Sequence, residues 1–282
     1  MAATVAAMNI MLQRTYPEGV PCWVDTQQDD PQAAQDFYGG LFGWTFTTVS
    51  PPGAPIYAIA ALGGRDVAGI GQTQGEPPRW TTYIAVDDAD SAVARITSAG
   101  AATTEIPDQE GPFGRGVSLR DPTGVPFRIW QAGKHPGAQV VNEPGSWNFS
   151  DLHTDEPGSI AFYADAFGWV VEDLGFATMV RRPGYGDHLE ATVDQTIQER
   201  QAGLGAPPGF EDAIAWVAAL EPRLAPHWHV SLSVADRDAA AERVEHLGGE
   251  VLSTEDSQWT RTALVRDPQG AVFTASQFTP PD

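Results

Sequence analysis

Apolar positions along the chain switch period several times. Pro21 to Thr26 has the length and composition of a strand. After it, Ala34, Phe37, Tyr38, Leu41 and Phe42 recur at the three- and four-residue spacing of a buried helix stripe. Asp30 is placed to cap that helix, Pro31 suits its first position and Gly43 stops it, so a helix is predicted over 31–42. The same order returns three times. Thr81 to Val86 precedes a helix from Ala89 to Ser98, Phe149 to Leu152 precedes one ending at Phe167, and His229 to Val234 precedes one ending at Leu247. The Asp-Pro-x-Gly sequences at Asp121 and Asp267 predict tight turns, each feeding a last β-prone run. The fold class expected is α+β, built from four βαβββ modules.

The chain is also written twice. Phe37-Tyr38-Gly39-Gly40-Leu41-Phe42-Gly43-Trp44 returns as Phe162-Tyr163-Ala164-Asp165-Ala166-Phe167-Gly168-Trp169, and Leu119 to Phe127 returns as Val265 to Phe273. Such self-similarity sets the architecture before any local pattern does. It predicts a flexible leader over 1–17, one domain over 18–132, a linker over 133–145 and a second domain over 146–282. The second match is further apart than the first, which places an insertion in the second domain at about 183–210. Within it, a Gly-rich bend holds Arg181, Arg182, Tyr185, Asp187, His188 and Glu190. A short polar helix is expected from Thr196 to Gly203 and an apolar helix from Glu211 to Leu220. A lid over the second domain is one reading of this segment; an excursion patching a sheet edge is the other.

Composition narrows the partners. Sixteen Lys and Arg against 37 Asp and Glu give a net charge of −21, which repels phosphate backbones and anionic lipid, so neither nucleic acid nor membrane is an expected partner. No apolar stretch reaches the length of a membrane span. The single Cys22 excludes an intramolecular disulfide framework and suits a reducing compartment, so a cytoplasmic protein is expected. The partner left is a small molecule, bound by a monomer or homodimer.

The paired modules, the Phe-Tyr-x-x-x-Phe-Gly-Trp helix ends and the Asp-Pro-x-Gly turns resemble the vicinal oxygen chelate superfamily, which includes glyoxalase I, bleomycin-resistance proteins and extradiol dioxygenases. The likeness spans roughly Glu18 to Phe278 and is greatest to the actinobacterial tandem glyoxalase-like type. It implies a curled sheet in each half, forming a cup for a small molecule, often with a divalent metal on its floor. The resemblance places metal ligands at the first strand of each module and a Glu on the last. Here those positions hold Trp23, Thr81 and Arg128 in the first half, and Phe149, His229 and Thr274 in the second. Only His229 is a ligand type, so either no cofactor or one atypically placed divalent metal is expected.

Five of six histidines fall in the second half. Strand alternation puts Phe149, Asp151 and His153 on one face, with His229 across the cup; the matching first-half trio is Trp23, Asp25 and Gln27. Two functional readings follow. Asp151 could orient His229 and raise its pKa as an acid/base pair, or Asp151, His153 and His229 could form a two-His one-carboxylate metal site. Candidate catalytic residues are therefore Asp151, His229 and His153, with His153 and His229 also candidate metal ligands. Candidate substrate-binding residues are Trp23, Asp25, Gln27, Phe149, Arg181, Tyr185 and His188. Trp23 is expected to present a flat wall to a planar ligand. The expected function is a proton-transferring enzyme of isomerase or lyase type with its site in the second cup; the alternative is a non-catalytic protein that sequesters an antibiotic or aromatic metabolite.

Overall fold

The computed structural model describes residues 13–73, 75–104, 109–221 and 224–280. Residues 1–12 of the expected leader lie outside them. Its remaining residues are tied down, with Arg14 N donating to Gln139 Oε1 at 2.9 Å and Tyr16 Oη to Ala138 O at 2.6 Å.

The first half runs β1 (Pro21–Gln28), α1 (Pro31–Phe42), β2 (Thr45–Thr48), β3 (Tyr57–Leu62) and β4 (Arg65–Gln72). It continues through β5 (Arg79–Val86), α2 (Ala89–Ser98), β6 (Ala102–Thr103), β7 (Gln109–Gly111), β8 (Gly114–Arg120) and β9 (Pro126–Ala132). These strands form one mixed sheet in the order β2-β3-β4-β1-β5-β9-β8-β6, with β7 on β8. The second half repeats it with β10 (Trp147–His153), α3 (Pro157–Phe167), β11 (Val170–Asp173), β12 (Thr178–Arg181), β13 (Ala213–Ala218), β14 (His227–Ser233), α6 (Arg237–His246), β15 (Glu250–Asp256), β16 (Thr260–Arg266) and β17 (Val272–Phe278). Its order is β11-β12-β13-β10-β14-β17-β16-β15. Four βαβββ modules therefore make two curled sheets. Their registers match: Asp25 lies opposite Thr81 as Asp151 lies opposite His229, and β1 and β10 bulge at the same place.

The repeated motifs bind the two halves together. Asp30 caps α1 through Gln32 N and Ala33 N, and the helices end on Gly43 and Gly168 in left-handed conformation, φ 72° and 68°. The following tryptophans then reach into the other half, Trp44 Nε1 to Gly145 O and Trp169 Nε1 to Gly19 O, both at 2.6 Å. Asp121 and Asp267 each fold their turn through backbone N–H groups and spend the second carboxyl oxygen across the interface. Asp267 takes Gln28 Nε2 at 2.7 Å and Tyr38 Oη at 2.9 Å, and Asp121 takes Ser159 Oγ. Each hydrophobic core likewise mixes the halves: Phe37 and Tyr38 of α1 pack with Val265 and Phe273, while Phe127 packs with Phe162, Tyr163 and Phe167. Each sheet curls into a cup.

The segment between β12 and β13 differs from expectation. Tyr185–Thr192 is a helix, α4, not a bend; α5 (Ile197–Gly203) is the expected short helix. The apolar helix expected over Glu211 to Leu220 is instead a single 3-10 turn, Phe210–Asp212, followed by β13. Ile214 and Ala215 are buried there while Trp216 pairs with Met179, so both faces of the strand carry apolar residues and the two-residue period is hidden. Among the described residues no helix is long and apolar enough to cross a membrane.

Candidate active site

The cups share a plan and differ in what fills them. In the first, Asp25 is fully buried. Its Oδ2 accepts Tyr83 Oη at 2.5 Å, Gln27 Nε2 at 3.1 Å and Tyr57 Oη at 3.2 Å, and Arg128 Nη1 lies 3.6 Å away as an ion pair. Arg128 also donates to Tyr83. Burial holds both phenols well above their ordinary pKa, so they act as neutral donors. Trp23 is buried, bonds Tyr57 Oη at 2.9 Å and meets the His135 ring edge-on at 4.4 Å. The flat ligand wall expected of it is thus taken up by the protein itself. A cleft of about 60 Å³ remains beside this network, lined by Gln27, Thr81, Ser118 and Arg128.

In the second cup the acid is retained and its partners are not. Thr274 and Ser231 sit where the first cup has Arg128 and Tyr83. Asp151 Oδ1, like Asp25 Oδ1, is buried with no hydrogen-bond partner among the described residues. Burial pushes its carboxyl up to about 7, against a smaller opposing effect of the Trp216 backbone N–H.

His229 faces Asp151 in register but is held elsewhere, its Nε2 2.8 Å from Thr274 Oγ1. Burial, then the neighbouring imidazoles, pushes His229 down to about 3, and burial, then His227, pushes His153 down to about 4. The acid thus moves up and the base moves down, the reverse of the pairing in which Asp151 raises the pKa of His229, because desolvation disfavours both charged forms. His153 lies 4.9 Å from His227 and 5.1 Å from His229, ring centre to ring centre. Phe149 meets Trp216 edge-to-face at 6.4 Å, and Phe210 lies 6.0 Å beyond it.

The remaining candidates are not gathered at this site. Arg181 pairs with Glu172 at 2.6 Å, Tyr185 is buried in a cluster with Leu189 and Ile197, and His188 Nε2 lies 3.0 Å from Thr15 O. Sequence reasoning passed over His227, whose two-residue spacing from His229 put it on the same strand face. It also passed over Trp216, hidden by the helix expected there.

The residues at the family's metal positions do not fit a metal. In the first cup the carboxylate position carries the Arg128 cation, and in the second it carries Thr274, whose hydroxyl bonds the His229 ring. Among the described residues no group of three or more His, Cys, Asp or Glu is placed to hold a metal ion.

A family model, the glyoxalase-like domain, matches residues 23–130 and again 137–276. Over 274 residues the chain is 34% identical to the "Putative glyoxylase CFP32" of Mycobacterium tuberculosis, covering 94% of this chain and 97% of that one. It is 33% identical over 281 residues to the anthracycline biosynthesis protein DnrV of Streptomyces peucetius, covering 93% and 94%. In fold it resembles the crystal structure of the Mn(II)-bound glyoxalase from Novosphingobium aromaticivorans, with a TM-score of 0.59 over 92% of this chain and 82% of that one, at 15% identity. With both halves matched by the same family model and both cups built alike, the chain belongs to the glyoxalase-like family of the vicinal oxygen chelate superfamily.

Proposed function

We propose that the chain is an enzyme that moves a proton on a small oxygenated organic molecule, of isomerase or lyase type, with Asp151 as acid/base in the second cup. The observation that carries this is the contrast between two carboxyls in one register: Asp25, whose Oδ1 is also without a partner, gives its Oδ2 to three side-chain donors beside the Arg128 cation, whereas Asp151 meets the Trp216 backbone N–H and burial pushes its carboxyl up to about 7. An ionised Asp151 takes the proton from carbon beside a carbonyl. His229 and His153, kept neutral by burial, polarise the carbonyl oxygen as hydrogen-bond partners without carrying charge themselves. Protonated Asp151 then returns the proton to the neighbouring carbon, or a leaving group departs. Phe149, Trp216 and Phe210 offer apolar rings beside these groups, which suits a planar aromatic ketone. The relative from anthracycline biosynthesis supports the same substrate class.

The same apolar rings favour the second reading, a protein that sequesters an aromatic metabolite without changing it. One experiment separates the two. Aromatic hydroxyketones are incubated with the protein in D2O and exchange of the proton beside the carbonyl is followed by NMR. Exchange by the wild type that falls about 100-fold or more in Asp151→Asn supports the enzyme. Saturable binding without exchange supports sequestration.

A further inference from the structure

The cleft of the first cup is not used by the chemistry above, yet its lining is specific. Thr81, Arg128 and Ser118 come from three neighbouring strands: β5 pairs with β9 at Tyr83 and Arg128, and β9 pairs with β8 at Arg128 and Ser118. Arg128 is 8% exposed, and it lines the cleft. Its Nη1 is committed to Tyr83 and Asp25, while Nε and Nη2 have no hydrogen-bond partner among the described residues. Neither nitrogen is sealed from solvent, so this edge opens on the cleft, where an acceptor can reach it. The hydroxyls of Thr81 and Ser118, residues 8% and 7% exposed, line the same space.

We infer that the first cup is a second ligand site, which takes the carboxylate of a small organic acid. The remaining edge of Arg128 is a planar fork matched to a carboxylate, and the two hydroxyls supply further donors. The described lining carries three arginines, Arg79, Arg120 and Arg128, against one Glu76, which is itself paired with Arg79 at 2.9 Å. That balance favours a bound anion within a chain whose overall field repels one. A volume of about 60 Å³ is several times what a single water needs and so accommodates a carboxylate head, with the rest of the acid leaving through the mouth. Asp25, buried behind Arg128, fixes the guanidinium and limits the site to a singly charged head.

The probe is 4-fluorobenzoate, titrated into the full chain and followed by 19F NMR. One saturable site is expected in the wild type, displaced by acetate more effectively than by inorganic phosphate at equal concentration. Arg128→Lys, which keeps the charge and loses the fork, weakens binding about tenfold or more. Thr81→Val and Ser118→Ala leave no buried charge unpaired and each weaken binding about threefold or more. Asp151→Asn and His229→Ala bind the probe as the wild type does. Absence of saturable binding overturns the inference, as does binding indifferent to Arg128, Thr81 and Ser118. Loss of binding in the Asp151 or His229 variants would move the site to the second cup and overturn it too, and tighter binding of phosphate would overturn the ligand class. The readout is binding alone, so it stands or fails separately from proton transfer at Asp151.

Discussion

Asp25 and Asp151 occupy one position in two copies of one fold and have opposite fates. Around Asp25 stand Arg128, Tyr83, Thr81 and Gly69; around Asp151 the matching positions hold Thr274, Ser231, His229 and Trp216. Gly69 matters because a side chain there would run into Tyr57 Oη, so the glycine admits the phenol that bonds Asp25. Trp216 fills that place in the second cup. The comparison teaches that the register of a curled sheet fixes where a carboxyl sits, while its four neighbours decide which groups it meets there. A duplicated domain can thus tie the carboxyl of one copy into a side-chain network and leave that of the other open to chemistry.

The largest expected effect tests this difference directly. Asp151→Asn lowers proton exchange on an aromatic hydroxyketone by about 10²- to 10⁴-fold, while Asp25→Asn leaves the rate within about twofold, both read by NMR in D2O. Equal losses in the two variants would erase the distinction between the cups.

Next in size is the reverse test, on stability. Arg128→Met leaves Asp25 buried without its cation and lowers the unfolding free energy by about 3–5 kcal/mol, measured by urea titration. The double variant Asp25→Asn with Arg128→Met recovers at least about half of that loss, because the uncompensated charge is then gone. No recovery would mean that Arg128 stabilises by packing rather than by pairing.

A third effect lies in the pH dependence. Asp151 has a folded pKa raised to about 7, above its unfolded value, so its contribution to stability is complete below about pH 4 and is lost as pH rises toward 7. His229 and His153 run the other way: their folded values, about 3 and about 4, lie below the unfolded one, so stability present above about pH 6.5 is lost as pH falls through 4 and 3. In the wild type the two trends oppose each other between pH 4 and 7. Asp151→Asn removes the first, so the variant gains on the order of 2–4 kcal/mol relative to wild type as pH rises across that window, measured by urea titration at each pH. A constant difference between the two proteins would show that Asp151 does not titrate there.

Much of the fold is legible in the sequence because its devices are local. The stripe from Ala34 to Phe42, the Asp30 cap, the Gly43 stop and the Asp-Pro-x-Gly turns each depend on neighbours within a few residues. The duplication supplied the rest of the architecture and aligned Trp23 with Phe149 and Thr81 with His229, as the strand registers have it. Two things were not legible. The strand carrying Trp216 has apolar residues on both faces, so its period gives no sign of a sheet. The electrostatics of each carboxyl depend on residues such as Tyr57, Arg128 and Thr274, tens of residues distant, whose approach only the folded sheet produces. Sequence placed Asp151 and His229 opposite one another; it did not tell that Thr274 takes the ring and leaves the carboxyl to the Trp216 backbone N–H.

The smallest effect probes how tightly the first cup is knotted. Tyr57 Oη accepts from Trp23 Nε1 and donates to Asp25 Oδ2, so Tyr57→Phe deletes one donor to the carboxyl and one acceptor for the indole together. Asp25 keeps Tyr83, Gln27 and Arg128, so its charge stays paired; the indole N–H is left buried without a partner. The expected cost is about 1–2 kcal/mol by urea titration, clearly below that of Arg128→Met. If Tyr57→Phe instead costs as much as Arg128→Met, the phenol is as necessary to the buried charge as the guanidinium, and the difference between the cups rests on Gly69, which admits that phenol, as much as on Arg128.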